Sequence, residues 1–404
     1  MTVQRRPIPP RRAMIRTAVA TVAALTAFRD PISAAQASEE VLPAVVPLGL
    51  CGGAYCATYT IDGQGFRAVL DTGSPFLLVD GTCRNDDARR SPWGCYTGNG
   101  RSSGLSDTDE LYGGEDVTVE WRRGGFAFDQ LRVDGQPRST LAVPDAIFGV
   151  VRGYVGKGGG GAVFLGLCKR RLPRIRPTLL EQTNIASLRF RFVQRRLDLS
   201  TSPLIAQGAD AVRLIDLRRR GAPVFNYACR LTGLIVDGER IALDRQAVVV
   251  IDTGTTGISV DDRLLEGDDS LLPPQWRDAR LELCTERGRT VTLESSIRRK
   301  RPRVAGVPAA PVLSTAEEYD EFPLIVSPIR VPWWDPDFGQ LECADRSGYQ
   351  CNGKPIGAKP SAPETFRQRL DGLGEAPYVL FVGLTFLWQR ELTIDVDEGR
   401  MTIV

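Results

Sequence analysis

Two short stretches of this chain repeat one design, and that repetition constrains the fold more than any other feature. Ala68 to Val79 reads AVLDTGSPFLLV, and Val248 to Val260 reads VVVIDTGTTGISV. Each leads apolar residues into Asp-Thr-Gly, follows with a hydroxyl residue, and returns to apolar residues. One such tripeptide signals no more than a turn, because Asp and Gly both favour turns. Two copies in matching hydrophobic frames, far apart in the chain, predict a duplicated β unit. Each half would then deliver one carboxylate, Asp71 or Asp252, to a shared site.

The rest of the chain is consistent with that plan. Its 404 residues are enough for two sizeable cores, and 42% hydrophobic with 25% charged is ordinary globular composition. Glycine and proline are plentiful, and Val and Thr recur in short alternating runs between turn residues, which predicts an all-β protein with few short helices. The sequence holds no histidine. That removes the side chain most used near neutral pH as general base, metal ligand or partner of a nucleophile. Triad hydrolysis and most zinc chemistry are thereby disfavoured, and neither a cofactor nor a metal is expected. A formal charge of +2 gives no general pull toward nucleic acid or membrane. The basic run at 298–303, RRKRPR, reads as a solvated loop, so no nucleic-acid partner is expected.

Nine cysteines, several close in sequence, suit an oxidising compartment. The expected pairs are Cys51 with Cys56, Cys83 with Cys95, and Cys284 with Cys343 or Cys351, the odd thiol being free or intermolecular. Zinc is the rival use of these cysteines, but no CxxC pair is present. Residues 1–37 carry Arg5, Arg6, Arg11, Arg12 and Arg16, then an apolar run from Thr17 to Phe28, then Ala35-Gln36-Ala37. That order predicts an export signal, with a disordered basic tail as the alternative. The apolar run is too short to span a membrane, so no stable membrane span is expected. Arg11 to Arg16 also resembles a twin-arginine signal. The expected destination is secreted or vacuolar, with a plastid thylakoid lumen as the alternative. The signal also leaves little chain for a propeptide before the first strand.

Beyond the signal, an N-terminal lobe over 38–205 and a C-terminal lobe over 206–404 are expected, with the junction near Ser200 to Gly221. Strands are predicted at Phe66 to Leu70, Pro144 to Gly149, Val224 to Val236, Ala247 to Ile251, Tyr378 to Gly383 and Leu392 to Val396. A hairpin is predicted to turn at Arg122-Arg123-Gly124-Gly125 between Glu115–Trp121 and Phe126–Val133. One helix is expected over Pro177 to Leu188, a helix-like turn over Leu384 to Gln389, turns at Asp237-Gly238 and Asp397 to Arg400, and a surface excursion over Pro323 to Pro363.

Two carboxylates held within hydrogen-bonding distance cannot both ionise easily, so the pair shares one proton across a range of acidic pH. The ionised member can take a proton from a water while the protonated member donates to a substrate carbonyl. Amide hydrolysis then needs neither a covalent intermediate nor a metal. Gly73 and Gly254 allow the two backbones to approach, Thr72 and Thr253 can brace the opposite loop, and Ser74 and Thr255 can hold the outer carboxylate oxygens.

On these residues the chain resembles the pepsin-like aspartic peptidases, and is closer to the atypical plant and algal, nepenthesin-like members than to pepsin. DTGS at Asp71 and DTGTT at Asp252 match the family's catalytic motifs. Ala146-Ile147-Phe148-Gly149 and Phe381-Val382-Gly383 match its apolar-apolar-Gly segments, and the C-terminal LTFLWQRELTIDVDEGRMTIV resembles its last strands. The resemblance implies a bilobal fold of two β-barrel-like lobes around a cleft, with a hairpin flap whose tyrosine would be Tyr112, before Gly113 and Gly114. It implies an aspartic endopeptidase, a monomer, acting on extended polypeptide at acidic pH. A strand tyrosine in the core is the plainer reading of Tyr112. Leu78 stands where the family carries a tryptophan, and Pro75 follows Ser74 directly. Two other functions remain open on sequence: a non-catalytic binding or inhibitor protein on the same scaffold, and an actin-like or sugar-kinase-type phosphotransferase, whose fold needs long helices.

Overall fold

The alternating and apolar runs form strands, and the protein is mainly β with a few short helices. The computed structural model describes residues 44–51, 53–83, 93–98, 100–112, 115–128, 141–155, 163–173, 175–266, 270–295, 322–329 and 377–404. Their strands form three sheets, of nine, eight and six strands.

The nine-stranded sheet holds the first Asp-Thr-Gly. Its strand Gln64–Asp71 runs antiparallel to Ala54–Ile61 and parallel to Phe164–Gly166, with Gly166 level with Asp71. The eight-stranded sheet holds the second. There Ala247–Ile251 lies between Ala228–Val236, antiparallel, and Tyr378–Val382, parallel. All five residues of Ala247–Ile251 are buried, which explains an apolar run with no alternation. Val249 and Ile251 enter the main core, whereas Val248 and Val250 pack on the other face against Ala228, Val379 and Phe381. The six-stranded sheet joins Ala44–Pro47, Arg196–Ser200, Ser187–Arg191, Glu391–Asp395, Arg400–Ile403 and Val212–Arg213 in that spatial order. Leu188 and Ile394 are paired across it, and both belong to the same core as Leu70 and Ile251. One hydrophobic cluster thus backs all three sheets.

Several expected elements form as read. Asp237 and Gly238 take positive φ of 51° and 86° in succession, the geometry of a tight hairpin turn. Leu384–Leu387 is a single helical turn after Tyr378–Val382, and Glu391–Asp395 pairs with Arg400–Ile403 around Gly399. Two elements differ. Arg122 to Gly125 is no hairpin turn but the interior of one long strand, Glu115–Phe128, paired along its length with Ala142–Val155. The register shifts between Gly124 and Phe126, and the Asp62 carboxylate occupies the space beside them. The Gly125 N–H donates to Asp62 Oδ1 at 2.7 Å, so the glycines serve a bulge and a close approach. The helix expected over Pro177 to Leu188 is a 3-10 turn at Leu180–Gln182 followed by the strand Ser187–Arg191. Gln182 bonds the Ile147 backbone with both ends of its amide, at 2.6 and 3.0 Å. Tertiary bonds and sheet pairing of Leu188 and Phe190 outweigh the local helical pattern.

Cys51–Cys56 and Cys83–Cys95 are disulfides, and Cys168 and Cys229 are buried thiols. Cys284 is exposed and makes no disulfide among the described residues; Cys343 and Cys351 lie outside them, as do the export segment and the basic run at 298–303. So does most of the excursion from Pro323 to Pro363. Among the described residues no helix is long and apolar enough to cross a membrane.

Because Ile394 is fully buried where the six-stranded sheet meets the core, Ile394→Ala should destabilise the protein by about 2–5 kcal/mol in chemical denaturation. A loss under about 0.5 kcal/mol, as at a surface site, would contradict that placement.

Candidate active site

Asp71 ends its strand, and Asp252 directly follows the strand Ala247–Ile251. Both adjoining strands are flanked by hydrogen-bonded neighbours, so the two turns leave the sheets in defined directions. The Asp252 N–H donates to the Val382 carbonyl at 3.0 Å, and the Asp71 carbonyl accepts from the Leu167 N–H at 2.8 Å.

The two turns interlock through their threonines. The Thr72 N–H donates to Thr253 Oγ1 at 3.1 Å, and the Thr253 N–H donates to Thr72 Oγ1 at 3.0 Å. Each hydroxyl then donates across to the other half, Thr72 to the Ile251 carbonyl at 2.8 Å and Thr253 to the Leu70 carbonyl at 2.7 Å. Both threonines are fully buried. At about 1 kcal/mol net for each bond, and more lost if a buried partner is orphaned, this is a strong link between the halves.

The glycines permit the approach. A Cβ on Gly254 would lie 2.5 Å from Asp71 Cγ, and one on Gly73 would lie 2.7 Å from Asp252 Cγ. Each glycine thus lies against the opposite carboxylate. The inner oxygens are held by backbone donors: Gly73 N–H to Asp71 Oδ1 at 2.7 Å, with Ser74 N–H at 3.2 Å, and Gly254 N–H to Asp252 Oδ1 at 2.9 Å. Hydroxyls hold the outer ones, Ser74 on Asp71 Oδ2 and Thr255 on Asp252 Oδ2 at 2.8 Å. All eight dyad residues named from sequence therefore meet in one place.

Their environments differ. Asp71 is 6% exposed, whereas Asp252 is partly open. Burial pushes the Asp71 pKa well above the usual carboxylate value, and the charge of Asp252 and a hydrogen bond between the two carboxyl groups push the same way. The Ser74 hydroxyl and the Gly73 N–H oppose the rise. Burial therefore favours the neutral form at Asp71, the more enclosed member of the pair.

Other expectations are modified. Phe381-Val382-Gly383 lies beside Asp252, but the matching position beside Asp71 is taken by Phe164-Leu165-Gly166 instead of Ala146 to Gly149. The latter segment pairs with Leu78–Asp80, Gly149 level with Leu78. A Cβ on Gly166 would meet the Ser74 carbonyl oxygen at 2.6 Å, and Gly383 crowds the Thr255 carbonyl in the same way. The signal was present in sequence: Phe-Leu-Gly-Leu and Phe-Val-Gly-Leu share a terminal leucine that Ala-Ile-Phe-Gly-Val lacks. Tyr112 ends the strand Thr108–Tyr112, paired with Glu115; its side chain, and Gly113 and Gly114, lie outside the described residues. Leu78 is buried beside Phe76 and Trp121, and the Trp121 indole N–H donates to Thr108 Oγ1 at 2.9 Å. Sequence reading passed over Trp121, Cys168 and Tyr227. The Cys168 thiol donates to the Thr72 carbonyl at 3.2 Å.

No protein-family model matches the chain, and no curated protein matches it.

The Asp71 shift has a thermodynamic signature. Its folded pKa lies above its unfolded value, so its contribution is most favourable below the unfolded pKa of about 3.9 and is lost as pH rises toward the folded one. Thermal melts across that window should show wild-type stability falling with rising pH relative to that of Asp71→Asn. Parallel curves for the two proteins would refute the shift.

Proposed function

We propose that the chain is an aspartic endopeptidase with a bilobal pepsin-like fold, its lobes spanning 38–205 and 206–404. One observation carries the reading: Asp71 and Asp252 are brought within hydrogen-bonding reach by interlocked Asp-Thr-Gly turns, with Asp71 the more enclosed of the two. The two large sheets, one around each motif, support the lobed arrangement. The helical elements among the described residues are single turns, which gives the phosphotransferase alternative no support.

In the proposed reaction an extended polypeptide lies across the pair with a water between the carboxyl groups. Asp252, ionised and held by Gly254 and Thr255, takes a proton from the water as its oxygen attacks the scissile carbonyl carbon. Asp71 gives its proton to the carbonyl oxygen, producing a neutral tetrahedral diol and reversing the roles of the two acids. The proton on Asp252 then passes to the leaving nitrogen, Asp71 recovers one from a diol hydroxyl, and the C–N bond breaks. The fixed N–H and hydroxyl donors keep both carboxyl groups in orientation throughout, so little reorganisation accompanies charge movement. The two disulfides suit an oxidising compartment, and export is part of the proposal.

Purified protein should cleave a denatured protein substrate near pH 3–5 and be inhibited by a statine-type mimic of the diol. Asp71→Asn and Asp252→Asn should each lower kcat by at least about 10²–10⁴. Cleavage that survives either substitution would end the dyad assignment. Intact folding of the wild type with no cleavage at any pH would favour the binding-protein alternative.

A further inference from the structure

Tyr227 is fully buried, and the proposed reaction makes no use of it. Its phenol donates to the Leu167 carbonyl, and the Leu167 N–H donates to the Asp71 carbonyl at 2.8 Å. Its own backbone carbonyl accepts the N–H of Ile251 at 3.0 Å, the residue before Asp252. A single residue therefore runs from the backbone at Asp71 to the strand that presents Asp252, independently of Thr72 and Thr253.

We propose that Tyr227 is a positioning residue for the carboxylate pair, its phenol holding the Asp71 turn at a set separation from the Asp252 strand. The effect on rate rests on the peptidase reading; the effect on proton sharing does not. Interaction between like carboxylates in a buried site is steep in distance, so a slightly looser pair shares its proton less tightly. The ring packs edge-on to Phe225 at 6.3 Å, which a phenylalanine would preserve. Cys168, Asp397 and Arg170 are the titratable and charged groups that act on the phenol. Burial, followed by Cys168 and Asp397, raises its pKa well above the ordinary tyrosine value, and Arg170 opposes them. The phenol therefore remains a donor wherever the carboxyl pair titrates.

The test compares the full chain with Tyr227→Phe, which keeps the ring and removes the donor. Carboxyl 13C NMR titration follows the pair directly, the Asp71 resonance being assigned by its loss in Asp71→Asn. The midpoint should fall by about half a unit to one unit toward the ordinary carboxylate value. In peptide cleavage, kcat should drop about three- to tenfold with KM within about twofold, and the alkaline limb should move the same way. An unchanged midpoint overturns the positioning role, whether or not the chain cleaves peptide. A shifted midpoint in a chain whose wild type cleaves nothing overturns the peptidase reading and leaves the positioning role standing. If Tyr227→Phe lacks the wild-type near-ultraviolet circular dichroism, 3-fluorotyrosine at position 227 replaces it as the probe. Its phenol donates more strongly, so the midpoint should rise, and an unmoved midpoint overturns the proposal.

Discussion

The reciprocal hydrogen bonding of Thr72 and Thr253 is the interaction on which this structure depends. Each threonine satisfies a backbone N–H and a backbone carbonyl of the opposite half, in a place where no water replaces a missing partner. Neither turn can move without orphaning buried groups of the other. The two Asp-Thr-Gly segments are thus one structural unit drawn from distant parts of the chain, and the sheets behind them carry that unit to a single separation.

Close approach is possible because side chains are missing where the two halves converge. Gly73 and Gly254 admit the opposite carboxylate, and Gly166 and Gly383 let a neighbouring strand end against the turn that follows each aspartate. The strand leading into Asp252 is buried on both faces, whereas the one leading into Asp71 buries Phe66, Ala68 and Leu70 on one face, and in each the buried side chains hold the register. Backbone N–H groups and hydroxyls of the two turns hold the carboxyl groups in place.

Symmetry in sequence is broken by burial. The two aspartates carry nearly the same donors, a glycine N–H inside and a hydroxyl outside, yet Asp71 is enclosed and Asp252 is partly open. Burial makes Asp71 costly to ionise and raises its pKa above the usual carboxylate value. The difference assigns distinct roles to residues that the duplication would leave equivalent.

Local chemistry in the sequence was enough to mark both aspartates and their six supporting neighbours, because the roles of Thr, Gly and the hydroxyl residues follow from their types and their order. The apolar run over Ala247 to Ile251, the Asp237-Gly238 turn and two disulfides were legible for the same reason. The Gly124-Gly125 bulge was mistaken for a turn because Asp62, which fills the space beside it, lies far away in sequence. The helix expected near Leu180 gave way to sheet pairing with residues at the end of the chain. Likewise, only the folded chain shows that Phe164-Leu165-Gly166, and not the similar Ala146 to Gly149, stands beside Asp71, since two apolar-glycine segments compete and only strand pairing chooses between them. The sequence by itself determined which residues could form the acid pair. Tertiary structure decided which acid is enclosed and what joins the two halves, because burial and long-range hydrogen bonds belong to no single segment of chain.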